Sequence, residues 1–300
     1  MKTFLKIAFA LGLAGAALPA LALNVFTCEP EWAALTRELA GDKVSVYSAT
    51  TAMQDPHRIE ARPSLIARIR SADLVICSGS ELEIGWLPLL LTQSGNDRIQ
   101  PGAPGFIEAS QFVAKLEIPK VIDRSLGDIH ASGNPHVHLD PRNIAKVAEV
   151  IAQRLARLDP ANAEAYRANA ASFQERWKSA LGRWQTQAAP LRGVPIVVYH
   201  KDLSYFIDWA GMREVGSLEP KPGLPPTPAH LADLVDRMKS DPAKVIVWSP
   251  YNSSQAAQFL SSRTGIPAVM LPFTVGGTDQ AKDLFGLFDD TIGRLLAAAK

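Results

Sequence analysis

Three histidines give this sequence its chemistry: His57 in Asp55-Pro56-His57, His136 in Asn134-Pro135-His136, and His200 in Val197-Val198-Tyr199-His200. Each follows a stretch that reads as a β-strand or as the turn leaving one. Side chains at strand ends converge where an α/β sheet opens, and neutral imidazole is a frequent ligand of transition metals. Gathered there, the three would form one metal site; taken singly, each would be an ordinary hydrogen-bonded histidine. The chain holds six histidines in all. His138 stands two residues past His136, His130 lies in a Gly/Asp/Ser loop, and His230 opens an apparent helix.

The elements that must position these rings alternate between strand and helix. Apolar, β-branched runs predict strands at 24–28, 44–48, 73–77 and 106–108, with another around Val121. Helical patterns fall between them at 30–40 and 64–71. A second set repeats the design, with strands at 195–199, 213–215, 245–248 and 268–271 and helices at 205–210, 229–239 and 254–264. This alternation argues for an α/β fold of two lobes, each a parallel sheet covered by helices. Between the lobes, 141–158 reads as one helix, Asp159-Pro160 punctuates it, and 161–187 continues with Tyr166, Ala170, Phe173, Trp177, Leu181 and Trp184 at three- and four-residue steps. At 1.5 Å per residue the second segment is about 40 Å long, enough to join both lobes as one backbone helix. The expected organisation is a leader at 1–22, an N-terminal lobe at 23–159, a connecting helix at 160–190 and a C-terminal lobe at 191–300.

The leader sets the compartment. Met1, Lys2 and Lys6 form a basic start, 7–18 an apolar run, and Ala20-Leu21-Ala22 a small-residue cleavage site, so export with cleavage after Ala22 is expected. The apolar run is shorter than the roughly 20 residues of a membrane span, and no later stretch supplies one. No cysteine follows the cleavage site to carry a lipid, which points to a free periplasmic protein without direct membrane insertion. The formal net charge is +1, with 47% hydrophobic and 20% charged residues, and removing Lys2 and Lys6 leaves the chain close to neutral. Such a balance implies neither nucleic acid nor an acidic membrane surface as a partner. The two cysteines, Cys28 and Cys77, both end predicted strands. If those strands are parallel neighbours, a disulfide is the favoured reading in an oxidising compartment; reduced buried thiols and soft zinc ligands are the rivals.

Taken together, the leader and a series of motifs resemble the periplasmic metal-binding proteins of ABC transporters, in the zinc and manganese branch. The motifs are Asp55-Pro56-His57 with Glu60 and Pro63; Ala72-Asp73-Leu74-Val75 with Gly79 and Leu82-Glu83; and Asn134-Pro135-His136 with Leu139-Asp140-Pro141. They continue with His200 followed by Tyr205-Phe206, and with Glu219-Pro220-Lys221-Pro222-Gly223 followed by Pro226 and His230-Leu231. The resemblance spans the mature chain. It implies two Rossmann-like lobes joined by one long helix, a single divalent metal in the cleft, a monomer, and delivery to a membrane permease with a cytoplasmic ATPase. His57, His136 and His200 fall on three ligand positions of that family. Manganese-selective members often carry Glu at the third, so His200 favours Zn²⁺ over Mn²⁺, in keeping with three neutral nitrogen donors.

The fourth position departs from the pattern. Where several relatives place Asp after the last strand, this chain reads Leu271-Pro272-Phe273-Thr274-Val275-Gly276-Gly277-Thr278-Asp279. Asp279 is expected to swing in on the Gly-Gly loop, with water or Glu60 as the alternatives, and an N-cap of a helix beginning near Ala281 as its purely structural role. His138 stands where many relatives have Trp, as an auxiliary ligand, a partner of the ligands, or a packing residue. Of the long His-rich loop that zinc-specific relatives often carry, only His130 and Asp128 are left. Asp55 and Asp140 stand where they could orient imidazoles through the other ring nitrogen, or equally serve as turn or cap residues. Three histidines and a water are also the ligand set of a catalytic zinc, so a zinc hydrolase is the rival from another class. No HExxH or GxSxG sequence and no clear acid/base pair supports it.

Overall fold

The computed structural model describes residues 22–300; the expected leader lies outside the described residues, apart from Ala22. Two four-stranded sheets organise the chain. The first contains β1 (Leu23–Thr27), β2 (Val44–Ser48), β3 (Leu74–Cys77) and β4 (Phe106–Glu108) in the order β2-β1-β3-β4. The second contains β5 (Pro195–Val198), β6 (Arg213–Ser217), β7 (Val245–Trp248) and β8 (Ala268–Met270) in the order β6-β5-β7-β8. Every pairing among them is parallel. The two lobes therefore share one topology, with carboxyl ends of strands available on the side where ligands bind in open α/β sheets.

Helices cover the sheets as parallel strands require. In the first lobe they are α1 (Pro30–Ala40), α2 (Pro63–Arg70) and α3 (Leu87–Ser94), followed by α4 (Pro141–Leu158). The second lobe carries α6 (Ser204–Ala210), α7 (Pro228–Ser240), α8 (Gln255–Thr264) and α9 (Leu284–Ala298). Local chemistry explains the boundaries of α4. Asp140 accepts a hydrogen bond from the Arg142 amide as N-cap, Pro141 takes the first position, and Ile144, Val147, Ala148, Ile151, Ala152 and Leu155 form the buried stripe.

Between the lobes runs α5 (Ala163–Ala188), 26 residues with a 3-10 turn at each end. It packs on α1 and α4 from one side of the molecule and on α9 from the other. Its aromatic stripe does the joining. Trp177 is buried and donates from Nε1 to the Pro141 carbonyl, while Trp184 donates to Asp289 on α9. The Trp177 ring lies 4.9 Å from Phe285 and 5.7 Å from Phe288, and Phe173 stacks on Trp177 at 5.2 Å. One hydrophobic core accordingly runs through both lobes, from Val25 and Leu74 through Trp177 to Ile196 and Val245, with a smaller core on the outer face of each sheet.

Three local expectations are corrected. The stretch around Val121 is irregular rather than a strand. Helix α3 was not anticipated; the run Leu87-Pro88-Leu89-Leu90-Leu91 is apolar almost throughout and lacks the periodic polar face that announces a helix. Helix α9 starts at Leu284 rather than near Ala281, because Asp283 is its cap, accepting from the Gly286 amide. Cys28, the residue after β1, and Cys77, the last of the neighbouring β3, form a disulfide, with Cα atoms 4.8 Å apart.

Candidate metal centre

His57, His136 and His200 come together. One ligand nitrogen from each ring lies within 4.8 Å of the others, and ring centroids stand 5.4, 5.4 and 5.5 Å apart, nearly an equilateral triangle. His57 comes from the loop between β2 and α2, His136 from the tight Asn-Pro-His turn before α4, and His200 from the residue pair beyond β5. The Asn134 side chain holds the second turn by accepting from the His136 amide. Two lobes thus contribute to one site.

Two of the rings have a fixed tautomer. His57 Nδ1 lies 2.8 Å from Asp55 Oδ1, and His200 Nδ1 lies 2.7 Å from Glu219 Oε2. A carboxylate accepts, so each Nδ1 carries the hydrogen and each Nε2 presents its lone pair. His136 differs. It is 1% exposed and neither ring nitrogen has a hydrogen-bond partner among the described residues. A buried unpartnered imidazole costs about 1–3 kcal/mol relative to a satisfied one, which is hard to reconcile with a purely structural role.

Electrostatics separates the rings. Burial, followed by the nearby His57 and His200, pushes His136 well below its ordinary value. Burial also pushes His200 down, but the Glu219 hydrogen bond and the charges of Asp202, Glu219 and Asp55 outweigh it and hold the group above the ordinary 6.5. Asp55 is pushed up by burial and pulled lower overall by its hydrogen bond and charge pairing with His57. Behind His200, the buried Asp202 accepts from Ser249 and Tyr251. The site therefore pairs one strictly neutral imidazole with others backed by negative charge, which suits a divalent cation.

The remaining expectations resolve unevenly. Asp279 is exposed and is not brought to the three histidines. Its loop folds back on itself: Gly276 donates to the Ala281 carbonyl, Gly277 to that of Thr274, and Thr278 holds both Asp290 and the Ala281 amide. Thr278, not Asp279, caps that turn. Glu60 is likewise exposed and outside the cluster. Asp140 caps α4 and pairs with Arg142 rather than orienting a ring. His138 is fully buried between the lobes, with Nε2 donating to the Phe273 carbonyl at 2.9 Å and Nδ1 3.1 Å from Glu31 Oε1. Thr274 also donates to Glu31, and that hydrogen bond latches α1 onto the loop after β8. Phe273, held this way, packs edge-on against both His136 and His138.

Sequence reasoning assigned no role to Glu219. Its signal was register: Val198 pairs with Ser217 across β5 and β6, and the Glu219 amide donates to the Tyr199 carbonyl, so residue 219 had to arrive beside residue 200. Replacing Glu219 by alanine should lower metal affinity by about 10–100-fold, the usual effect of losing a carboxylate behind a ligating histidine. Competition with a fluorescent chelator measures it, and an unchanged affinity would show that Glu219 does not set the tautomer of His200.

Comparison with known proteins is consistent with this geometry. A family model described as zinc-uptake complex component A, periplasmic (ZnuA) matches residues 25–298. The high-affinity zinc uptake system protein ZnuA of Bacillus subtilis is 25% identical over 253 residues, which cover 83% of this chain and 77% of that protein. The manganese ABC transporter substrate-binding lipoprotein PsaA of Streptococcus pneumoniae is 24% identical over 258 residues, covering 84% and 80%. Against the zinc-binding lipoprotein AdcA of the same species identity is 24% over 83% of this chain, which spans 49% of that longer protein. A crystal structure of ZnuA superposes with a TM-score of 0.74 at 21% identity, over 91% of this chain and 99% of that one, and so shares the two-lobed fold. These relatives are named for metal binding and transport, some with zinc and some with manganese.

Proposed function

The chain belongs to the ZnuA family of metal-binding ABC-transporter components, and we propose that it captures one Zn²⁺ between its lobes and delivers it to a membrane permease. In this reading it is exported to the periplasm as a monomer, and a cytoplasmic ATPase drives the permease. His57 and His200 offer Nε2 lone pairs fixed by Asp55 and Glu219, and His136 completes the triad from the cleft floor. The observation that carries the proposal is the buried, partnerless imidazole of His136 at the centre of convergent ligands.

Zinc rather than manganese follows from the donors. Three neutral nitrogens match the preference of Zn²⁺, whereas Mn²⁺ favours more oxygen ligands, and the two carboxylates nearest the rings are engaged with Nδ1 atoms. The family is one of transport proteins, so the hydrolase reading falls away. Metal analysis of protein isolated from its own compartment, without added metal or affinity tag, tests the choice of ion. About one zinc per chain is expected, and stoichiometric manganese would overturn it.

Affinity should also depend on pH. Zn²⁺ requires neutral imidazoles, and His200 is held above the ordinary 6.5, so it takes up a proton before His136 does as pH falls. Affinity is therefore at its plateau above the His200 value and starts to fall at a pH above 6.5. The slope should approach about one proton displaced per ion, or tenfold per pH unit. Calorimetry across buffers of different ionisation enthalpy counts that proton. A constant affinity down to well below 6.5 would contradict the assignment.

A further inference from the structure

A strap crosses the cleft mouth. Residues 119–133 leave the N-terminal lobe, reach the C-terminal lobe and return to the Asn134-Pro135-His136 turn, with tethers on both sides. The Asp128 amide donates to the Pro222 carbonyl at 2.7 Å, and Lys221 Nζ donates to the Ser125 carbonyl. Gly127, at φ +89°, is needed for that approach, since a Cβ there would lie 2.5 Å from the Pro222 oxygen. Four residues past Gly127, the Ala131 amide donates to Glu81 Oε2 of the first lobe at 2.6 Å. Between the two tethers stands His130, whose Nε2 lies 3.3 Å from His57 Nε2.

That contact is made on the wrong atom for a structural hydrogen bond to persist in a loaded site. His57 Nδ1 is committed to Asp55, so Nε2 is the lone pair His57 has for a metal, and His130 is aimed at the same lone pair. Once an ion takes it, His130 loses this partner unless it binds the ion too. The spacing permits it: two nitrogens each about 2.0–2.1 Å from a tetrahedral zinc stand about 3.3–3.4 Å apart. His130 lies outside the mutually close set formed by His57, His136 and His200, and a cavity of about 280 Å³ lined by His130, His136 and His200 opens beneath the strap. Inward settling of the strap into that space closes the tetrahedron.

Resting on the reading of the cleft as a zinc site, we propose that His130 is the fourth ligand, an imidazole carried by the strap, in place of a carboxylate or water. The ion is then held by four nitrogens, and the strap is the part of the protein that must lift for the cargo to leave. Co²⁺ substitution tests this in the full-length mature chain. In the wild type the visible bands of tetrahedral Co²⁺ should report an all-nitrogen field. His130→Ala should shift them to lower energy, since water is the weaker ligand, and free imidazole should restore them. Zn²⁺ release from His130→Ala into a chelator should be at least about tenfold faster. Bands and release rate identical to wild type would overturn the proposal while leaving the three-histidine site standing. Unchanged metal binding in His136→Ala would instead overturn the cleft site itself, so the two failures are distinct.

Discussion

Changing His136 to alanine is expected to abolish high-affinity zinc binding, with a loss of more than about 100-fold, beyond the range seen when only an outer partner of a ligand is removed. The expectation comes from position as much as from ligand count. His136 sits on the cleft floor with both nitrogens unpartnered among the described residues, so its removal takes away a proposed ligand and leaves a buried gap that water must fill without good hydrogen-bond partners. Phe273 and His138 hold the surrounding wall, and the latch to Glu31 does not depend on His136, so the variant should remain folded. Calorimetric titration of metal-free protein reads the effect. Retained affinity and one-to-one stoichiometry would remove His136 from the site and with it the main support for a cleft metal. His57→Ala should cost less, because His57 is only partly buried and water reaches its position more readily.

Breaking the disulfide is the second large effect expected. Cys28 and Cys77 close a loop with a sequence separation of 49, for which chain entropy gives roughly 4 kcal/mol of stabilisation. Both sulfurs are fully buried in the small outer core with Phe26, Val75 and Trp86. A Cys28→Ser/Cys77→Ser double variant places two hydroxyls in that apolar setting and adds to the loss. Denaturant unfolding of oxidised wild type against the variant should show a midpoint shift of that order. Coincident curves would mean that the cross-link contributes nothing to stability.

How much of this was legible beforehand differs by level. The bounds of α1, α4, β2 and β7 could be read from caps, prolines and apolar runs, since there local preference and tertiary packing agree. That His57, His136 and His200 would come together was legible because each sits at the end of an element that the sequence marks. Helix α3 was not, since its residues are apolar without a helical period. The expectation at Asp279 rested on proximity to the end of a strand, whereas backbone hydrogen bonds at Gly276 and Gly277 fold the loop back on itself, with Asp279 exposed. His130 and Glu219 could be recognised only in three dimensions. One is delivered by a strap tethered to both lobes, the other by register across β5 and β6, and neither fact has a local signature.

The core shared by the two lobes has a consequence for how the molecule comes apart. Val25 and Leu74 on one sheet, Trp177 on α5, and Ile196 and Val245 on the other belong to a single contiguous apolar body. Neither half can melt while leaving the other intact, because doing so would expose the half of that body which remains. The protein should therefore behave as one cooperative unit despite its two sheets. Its cheap excursions are confined to segments outside that body, and the covering of the cleft is the one that bears on cargo. A carrier built this way can exchange an ion on the timescale of a loop without spending global stability to do it.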